Sequence, residues 1–171
     1  AFQHRLGIVR SAGDAQIEVL ARSHISFRDG RALFKNRQVS ASEPLLSSAA
    51  RGLRDSKSPF AMQAEYFAAN AVFEQNRMGD AEKTLRRLLT EVPPRYQALG
   101  ALIKWELALC LIGRARWGDA IPVLEESIAT FERMNEKGNA AIVREILAQS
   151  YDAIGDPETG WRHHLIALQE L

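Results

Sequence analysis

Phe67-Ala68-Ala69-Asn70-Ala71-Val72-Phe73, running on to Met78-Gly79-Asp80-Ala81 and then to Leu85, Leu88 and Leu89, is the stretch whose reading decides the fold. Moved 39 residues along the chain, it falls without a gap on Glu106-Leu107-Ala108-Leu109-Cys110-Leu111-Ile112, on Trp117-Gly118-Asp119-Ala120, and on Leu124, Ser127 and Ile128. A Gly-Asp-Ala shared inside matched apolar positions marks an internal repeat. The same period reaches toward the N-terminus. Gly30 takes the place of Ala69 and Ala108, and Ser42 that of Ala81 and Ala120. Pro44, Leu46 and Ala49 take those of Pro122, Leu124 and Ser127. A shift of 40 puts Ala148 on Ala108 and Gly160 on Ala120. Small residues therefore recur in pairs twelve apart, which predicts two helices that approach closely at a fixed crossing in each of four units.

The breakers agree with that period. Asp55-Ser56-Lys57-Ser58-Pro59, Pro93-Pro94 and Asn135-Glu136-Lys137-Gly138-Asn139 separate units. Breaks within units are expected near Arg37–Ser40, Met78–Asp80, Arg116–Asp119 and Gly155–Pro157. Between breaks the apolar spacing is helical, as in Val123, Leu124, Ile128 and in Ile146, Leu147, Tyr151, Ile154. Asp14, Asp80, Asp119 and Asp156 stand where N-caps belong, and Pro157 suits a first helical position, where no N–H is required. The expected fold class is all-α, an α-solenoid of stacked antiparallel hairpins in one repeat domain spanning 1–171. Its hairpins fall at 15–54, 59–92, 95–134 and 139–171, and 1–12 reads as a partial helix of a preceding hairpin. A chain of this kind is expected to be a fragment of a larger protein.

Composition bounds the function. Apolar residues make up 46% and charged residues 25%, a globular balance that can bury a sizeable core. Residues 1–59 hold ten Lys/Arg against five Asp/Glu, and residues 60–171 hold twelve against sixteen. That asymmetry is too mild for a nucleic-acid footprint, but it could orient a charged partner or two copies head to tail. No apolar run approaches the roughly 18 residues that span a bilayer. No secretory leader is read at Ala1–Arg10, so a cytoplasmic location is expected. The single cysteine, Cys110, lies in an apolar run and reads as a small buried hydrophobe rather than a nucleophile.

The repeats resemble the tetratricopeptide repeat, whose pattern runs W-x2-L-G-x2-Y, then A-x3-F, then P. The fourth unit is nearest, with Leu147, Ala148 and Tyr151, then Gly155, Gly160, His164 and Ala167. The third offers Leu107, Ala108, Leu111, Ala120 and Leu124. The second offers Ala68, Ala69, Val72, Ala81, Leu85 and the closing Pro93, and the first Gly30, Leu33, Ser42 and Leu46. The family's leading tryptophan is absent, since Trp105 sits one residue off its place, and the period is 39–40 rather than 34. Such long periods are similar to arrays of bacterial regulators and signalling proteins. The stretch Ala153–Leu168 also resembles arrays that precede caspase-like (CHAT) domains. The resemblance implies a superhelix that binds peptides or partner proteins on its concave face.

No motif carries catalysis. There is no GxxxxGK[ST], no GxGxxG and no GxSxG around Ser47-Ser48. His163 and His164 are adjacent on a helix and point about 100° apart, which suits no shared metal; no metal and no cofactor are expected, nor is an enzyme. Helical-wheel counting from the small residues gives a candidate concave face of Phe27, Arg31, Phe34, Tyr66, Asn70, Phe73, Trp105, Leu109, Ile112 and Gln149. Aromatic anchors there suit a protein or peptide partner, in a scaffold within a multidomain signalling protein. The same rings could equally be core between hairpins. The alternative function is structural: packing on a neighbouring domain, or self-association through the C-terminal hairpin, where Ile166, Leu168 and Leu171 are apolar.

Overall fold

The computed structural model describes residues 13–170. The expected partial helix at 1–12, and Leu171, lie outside them. Among the described residues there are eight helices and no strand: α1 Asp14–Lys35, α2 Val39–Asp55, α3 Ala61–Phe73, α4 Met78–Glu91, α5 Gln97–Ile112, α6 Trp117–Arg133, α7 Lys137–Ala153 and α8 Pro157–Glu170. The chain falls into two compact units, one ending at Asp80 and the other beginning at Ala81. In the first, α1 packs on α2 and α2 on α3. In the second, α5 packs on α6, α6 on α7 and α7 on α8.

The turns repeat as faithfully as the helices. Arg37, Asn76, Ala115 and Gly155 all have positive φ, at 61°, 59°, 57° and 87°. One residue further on, the N–H of Gln38, Arg77, Arg116 and Asp156 donates to the carbonyl of Leu33, Val72, Leu111 and Tyr151. This six-to-one bond across a left-handed residue closes the C-terminus of the preceding helix by satisfying its orphan carbonyls. The left-handed conformation disfavours a side chain, yet only the last of the four is glycine. The hydrogen bonds and the packing of the flanking helices hold the other three there. Between hairpins the same turn recurs at Lys57 and Asn135, whereas Pro93-Pro94 occupies the middle joint.

These closures displace two expected breaks. Gly79-Asp80 and Gly118-Asp119 are not turns: they lie in the first turns of α4 and α6, which begin at Met78 and Trp117. Asp80 and Asp119 are therefore not N-caps. They sit three residues after Arg77 and Arg116 and pair with those guanidinium groups at 3.1 and 2.7 Å. Asp156 does cap, its Oδ1 accepting from the Thr159 N–H at 3.2 Å, and Pro157 opens α8. The carboxylate of Asp156 is held below its ordinary pKa by these Thr159 hydrogen bonds.

The small residues are buried where the repeat put them. Ala81, Ala108, Ala120 and Ala148 have no appreciable exposure, and Ser42 has none. A Cβ built on Gly160 would lie 2.9 Å from the Ala148 carbonyl oxygen, so residues 148 and 160 do meet backbone to backbone. A Cβ on Gly30 would come within 2.9 Å of the Leu46 side chain. Ser127, fully buried, donates its hydroxyl to the Ala101 carbonyl at 2.9 Å and so ties α6 to α5. Around these contacts the first unit buries Phe27, Leu46, Leu53 and a set of alanines, with Phe34, Phe60 and Phe67 packed against them. The second buries Leu85, Leu88, Ile103, Leu107, Leu111, Leu124, Phe131, Val143 and Leu147. Each such side chain contributes about 1.5–3 kcal/mol relative to an exposed one.

Two ion-pair clasps recur with the period. In the first unit Glu43 on α2 accepts from Gln75 Nε2 at 2.6 Å and Arg77 Nη1 at 2.8 Å. In the second, Glu82 on α4 accepts from Arg114 at 2.5 Å and Arg116 at 3.2 Å, and from Arg86 at 2.8 Å along its own helix. Every partner of Glu82 but Arg86 stands 39 residues beyond its counterpart around Glu43.

Candidate partner-binding face

The first helices of each hairpin carry the ten expected face residues, and the structure places them unequally. On α1, Phe27 is buried in the first unit's core, Phe34 is half-buried and Arg31 is exposed. On α3, Tyr66 and Asn70 are buried at 8% exposure and Phe73 is half-buried. The four residues Phe27, Arg31, Phe34 and Tyr66 converge on one ring, that of Phe67. Phe27, Phe34 and Tyr66 meet it edge-on, at centroid separations of 5.9, 6.3 and 5.5 Å. The Arg31 guanidinium lies 4.7 Å from the Phe67 centroid and 5.6 Å from that of Phe27, a cation over two aromatic faces. Asn70, one turn beyond Tyr66, encloses its Oδ1 without a hydrogen-bond partner among the described residues.

Phe67, the hub of this arrangement, is missing from the helical-wheel set. Its one sequence signal is its place three residues before Asn70 and four after Gln63, inside the repeated block.

In the second unit Trp105, Leu109 and Ile112 stand at i, i+4 and i+7 on α5 and are half-buried. The Trp105 ring meets Phe131 edge-on at 6.3 Å, and its Nε1 is enclosed without a partner among the described residues. Gln149 on α7 is exposed, with its amide 3.4 Å from Glu145.

The titratable groups next to these helices are engaged with one another. His164 Nδ1 lies 2.7 Å from Glu145 and its Nε2 3.5 Å from Asp152, and the Glu145 hydrogen bond raises its pKa. His163 stacks on Tyr151 at 5.5 Å, and burial lowers its pKa. Cys110 is fully buried, and burial pushes its thiol up to about 12, which suppresses the thiolate. Among the described residues no group of three His, Cys, Asp or Glu side chains is placed to hold a metal ion. No described helix is long and apolar enough to cross a membrane.

A structure of aspartyl phosphate phosphatase F from Bacillus subtilis superposes with a TM-score of 0.80 over 88% of this chain, at 15% identity. A structure from Podosopora anserina, described as kinesin light chain nearly identical TPR-like repeats, superposes with a TM-score of 0.73 over 88% of this chain and 75% of its own, at 16% identity. The fold is that of the TPR-like helical-repeat proteins. This TPR-like chain spans 40% of the length of the phosphatase structure. No family model matches the sequence, and no curated protein sequence is similar to it.

Proposed function

We propose that this TPR-like chain is a scaffold that binds a protein or peptide partner on the faces of its first helices. The observation that carries the reading is Arg31, exposed and seated over the Phe67 and Phe27 rings. An arginine held by aromatic faces has lost much of its rotamer freedom before a partner arrives, so less entropy is lost on binding. Arginine and aromatic residues also dominate binding energy where interfaces have been dissected. Phe34, half-buried and edge-on to the same Phe67 ring, supplies apolar surface next to it, and Phe73 is half-buried further along α3. In the second unit Trp105, Leu109 and Ile112 form the equivalent stripe.

Peptides selected from a displayed library against the immobilised chain test this. Arg31→Ala is expected to weaken the selected peptides about tenfold, or about 1.4 kcal/mol, while the lost cation–π contact lowers the melting temperature by only a few degrees. Trp105→Ala, measured alongside, should lose stability as well, because its ring also packs on Phe131. Selected peptides that bind both variants as tightly as the parent would remove the first-helix faces as the binding surface.

A second reading has its own observation. On α8, Trp161, Leu165 and Leu168 are 62%, 44% and 69% exposed and stand at i, i+4 and i+7, one apolar face turned outward. Such a face supports self-association through the C-terminal hairpin. Sedimentation at rising concentration should reveal dimers that Leu168→Asp abolishes; a strictly monomeric parent removes this reading.

A further inference from the structure

The joints between hairpins follow a charge rule with one departure. Arg54 near the end of α2 pairs with Glu65 on α3, and Glu132 near the end of α6 pairs with Arg144 on α7. These are the same two repeat positions with their signs exchanged: Arg54, Pro93 and Glu132 are spaced by 39, and Glu65, Lys104 and Arg144 by 39 and 40. The middle joint therefore sets Pro93 where an acid opposite Lys104 would complete the pair. There the chain forms a cleft of about 240 Å³, lined by Pro93, Pro94, Tyr96, Lys104, Thr130 and Arg133 among others, all in the second unit.

The cleft is cationic on one wall and apolar on the other. Arg133 donates to the Thr130 hydroxyl at 3.0 Å and has no carboxylate partner among the described residues. Lys104 reaches out of the cleft to Glu126 at 2.7 Å, but the Glu126 side chain is 65% exposed. An exposed pair of that kind contributes little and exchanges readily for a better-placed carboxylate. Ligand pockets for drug-sized molecules run from about 300 to 1,000 Å³. This one is smaller, and suits one residue of a bound chain.

We propose that the cleft at the α4–α5 joint binds an acidic residue of a partner peptide, its carboxylate on Arg133 and Lys104 and its apolar neighbour on Pro93 and Pro94. The arginine fork can take the carboxylate in two hydrogen bonds, and the ligand supplies the charge that this joint's own sequence omits. The site uses a side of α5 turned about 100° from that of Trp105, and stands whether or not the first-helix faces bind.

The test is a titration of the isotope-labelled chain, followed by amide NMR, with acetyl-Leu-Glu-amide, acetyl-Leu-Gln-amide and sodium acetate. The glutamate peptide is expected to give saturable shifts grouped on Gly100, Lys104, Thr130 and Arg133 that weaken as salt rises. Arg133→Gln should weaken that binding about tenfold. Lys104→Gln, read in the same way, serves if Arg133→Gln fails to fold. Equal shifts with the glutamine peptide or with acetate alone would overturn the proposal, as would shifts that fall on Arg31, Asn70 and Ile112 instead.

Discussion

Replacing Glu82 by alanine is expected to cost about 2–3 kcal/mol of stability, and replacing it by glutamine about 1–2 kcal/mol. Glu82 is 6% exposed and accepts from three arginines, one on its own helix and two in the turn between α5 and α6. Breaking a buried ion pair from one side typically costs about 3–5 kcal/mol. The lower figure holds here because the arginine side chains remain 40–50% exposed and can turn to water. Burial alone would raise the Glu82 pKa; the Arg86 and Arg114 hydrogen bonds and the charges of Arg86 and Arg116 outweigh it and hold the carboxyl below its ordinary value. A carboxyl depressed on folding adds stability above its unfolded pKa and loses it as pH falls through the folded one. The gap in melting temperature between the parent and Glu82→Gln should therefore be full at pH 7 and close as acid protonates the parent. A gap that is constant from pH 7 to pH 3 would mean that packing, not charge, accounts for it. Glu43→Gln gives a comparison within the same molecule and should cost less, since its side chain is 22% exposed and one of its two partners is the neutral Gln75.

Ala108→Leu and Ala120→Leu are expected to destabilise by about 1–3 kcal/mol each through overpacking. Both alanines are fully buried at positions where the repeat demands a small side chain. At the equivalent pair in the last hairpin a single added methyl already meets a backbone oxygen, so three further carbons have no room unless the helices part. For a chain of this size about 2–4 °C of melting temperature accompanies each kcal/mol. Ala153→Leu, on an exposed position of the same kind of helix, should stay within about 0.5 kcal/mol. If Ala108→Leu and Ala120→Leu both melt within a degree of the parent, the assignment of the crossing points is wrong.

The contrast between these two experiments marks how far local reading reaches. The alanine crossings are legible because a hairpin contacts mainly its neighbours, so the steric demand repeats in the sequence at the period of the structure. The Glu82 clasp joins residues 32 and 34 apart, and nothing in either segment alone announces the other. Two of the turn positions escape a local reading for a related reason. Gly79 and Gly118 look like breaks, but the helices close where the N–H of Arg77 and Arg116 reaches back to Val72 and Leu111, and that puts Asn76 and Ala115 in the left-handed conformation despite their side chains.

The face residues divide in the same way. Helical periodicity alone puts Phe27, Arg31 and Phe34 on one face of one first helix, and Tyr66, Asn70 and Phe73 on one face of another. It does not say which rings turn under the neighbouring hairpin. Only tertiary packing decides that Phe27 and Tyr66 are covered, that Arg31 stays at the surface over Phe67, and that Phe67 is the ring they share. By itself, then, the sequence determines the all-helical class, the period and the small-residue crossings, because each depends on contacts between adjacent segments. The helix starts, the left-handed turns, the ion-pair clasps and the cleft beside Pro93 depend on groups that only the folded chain brings within hydrogen-bonding reach.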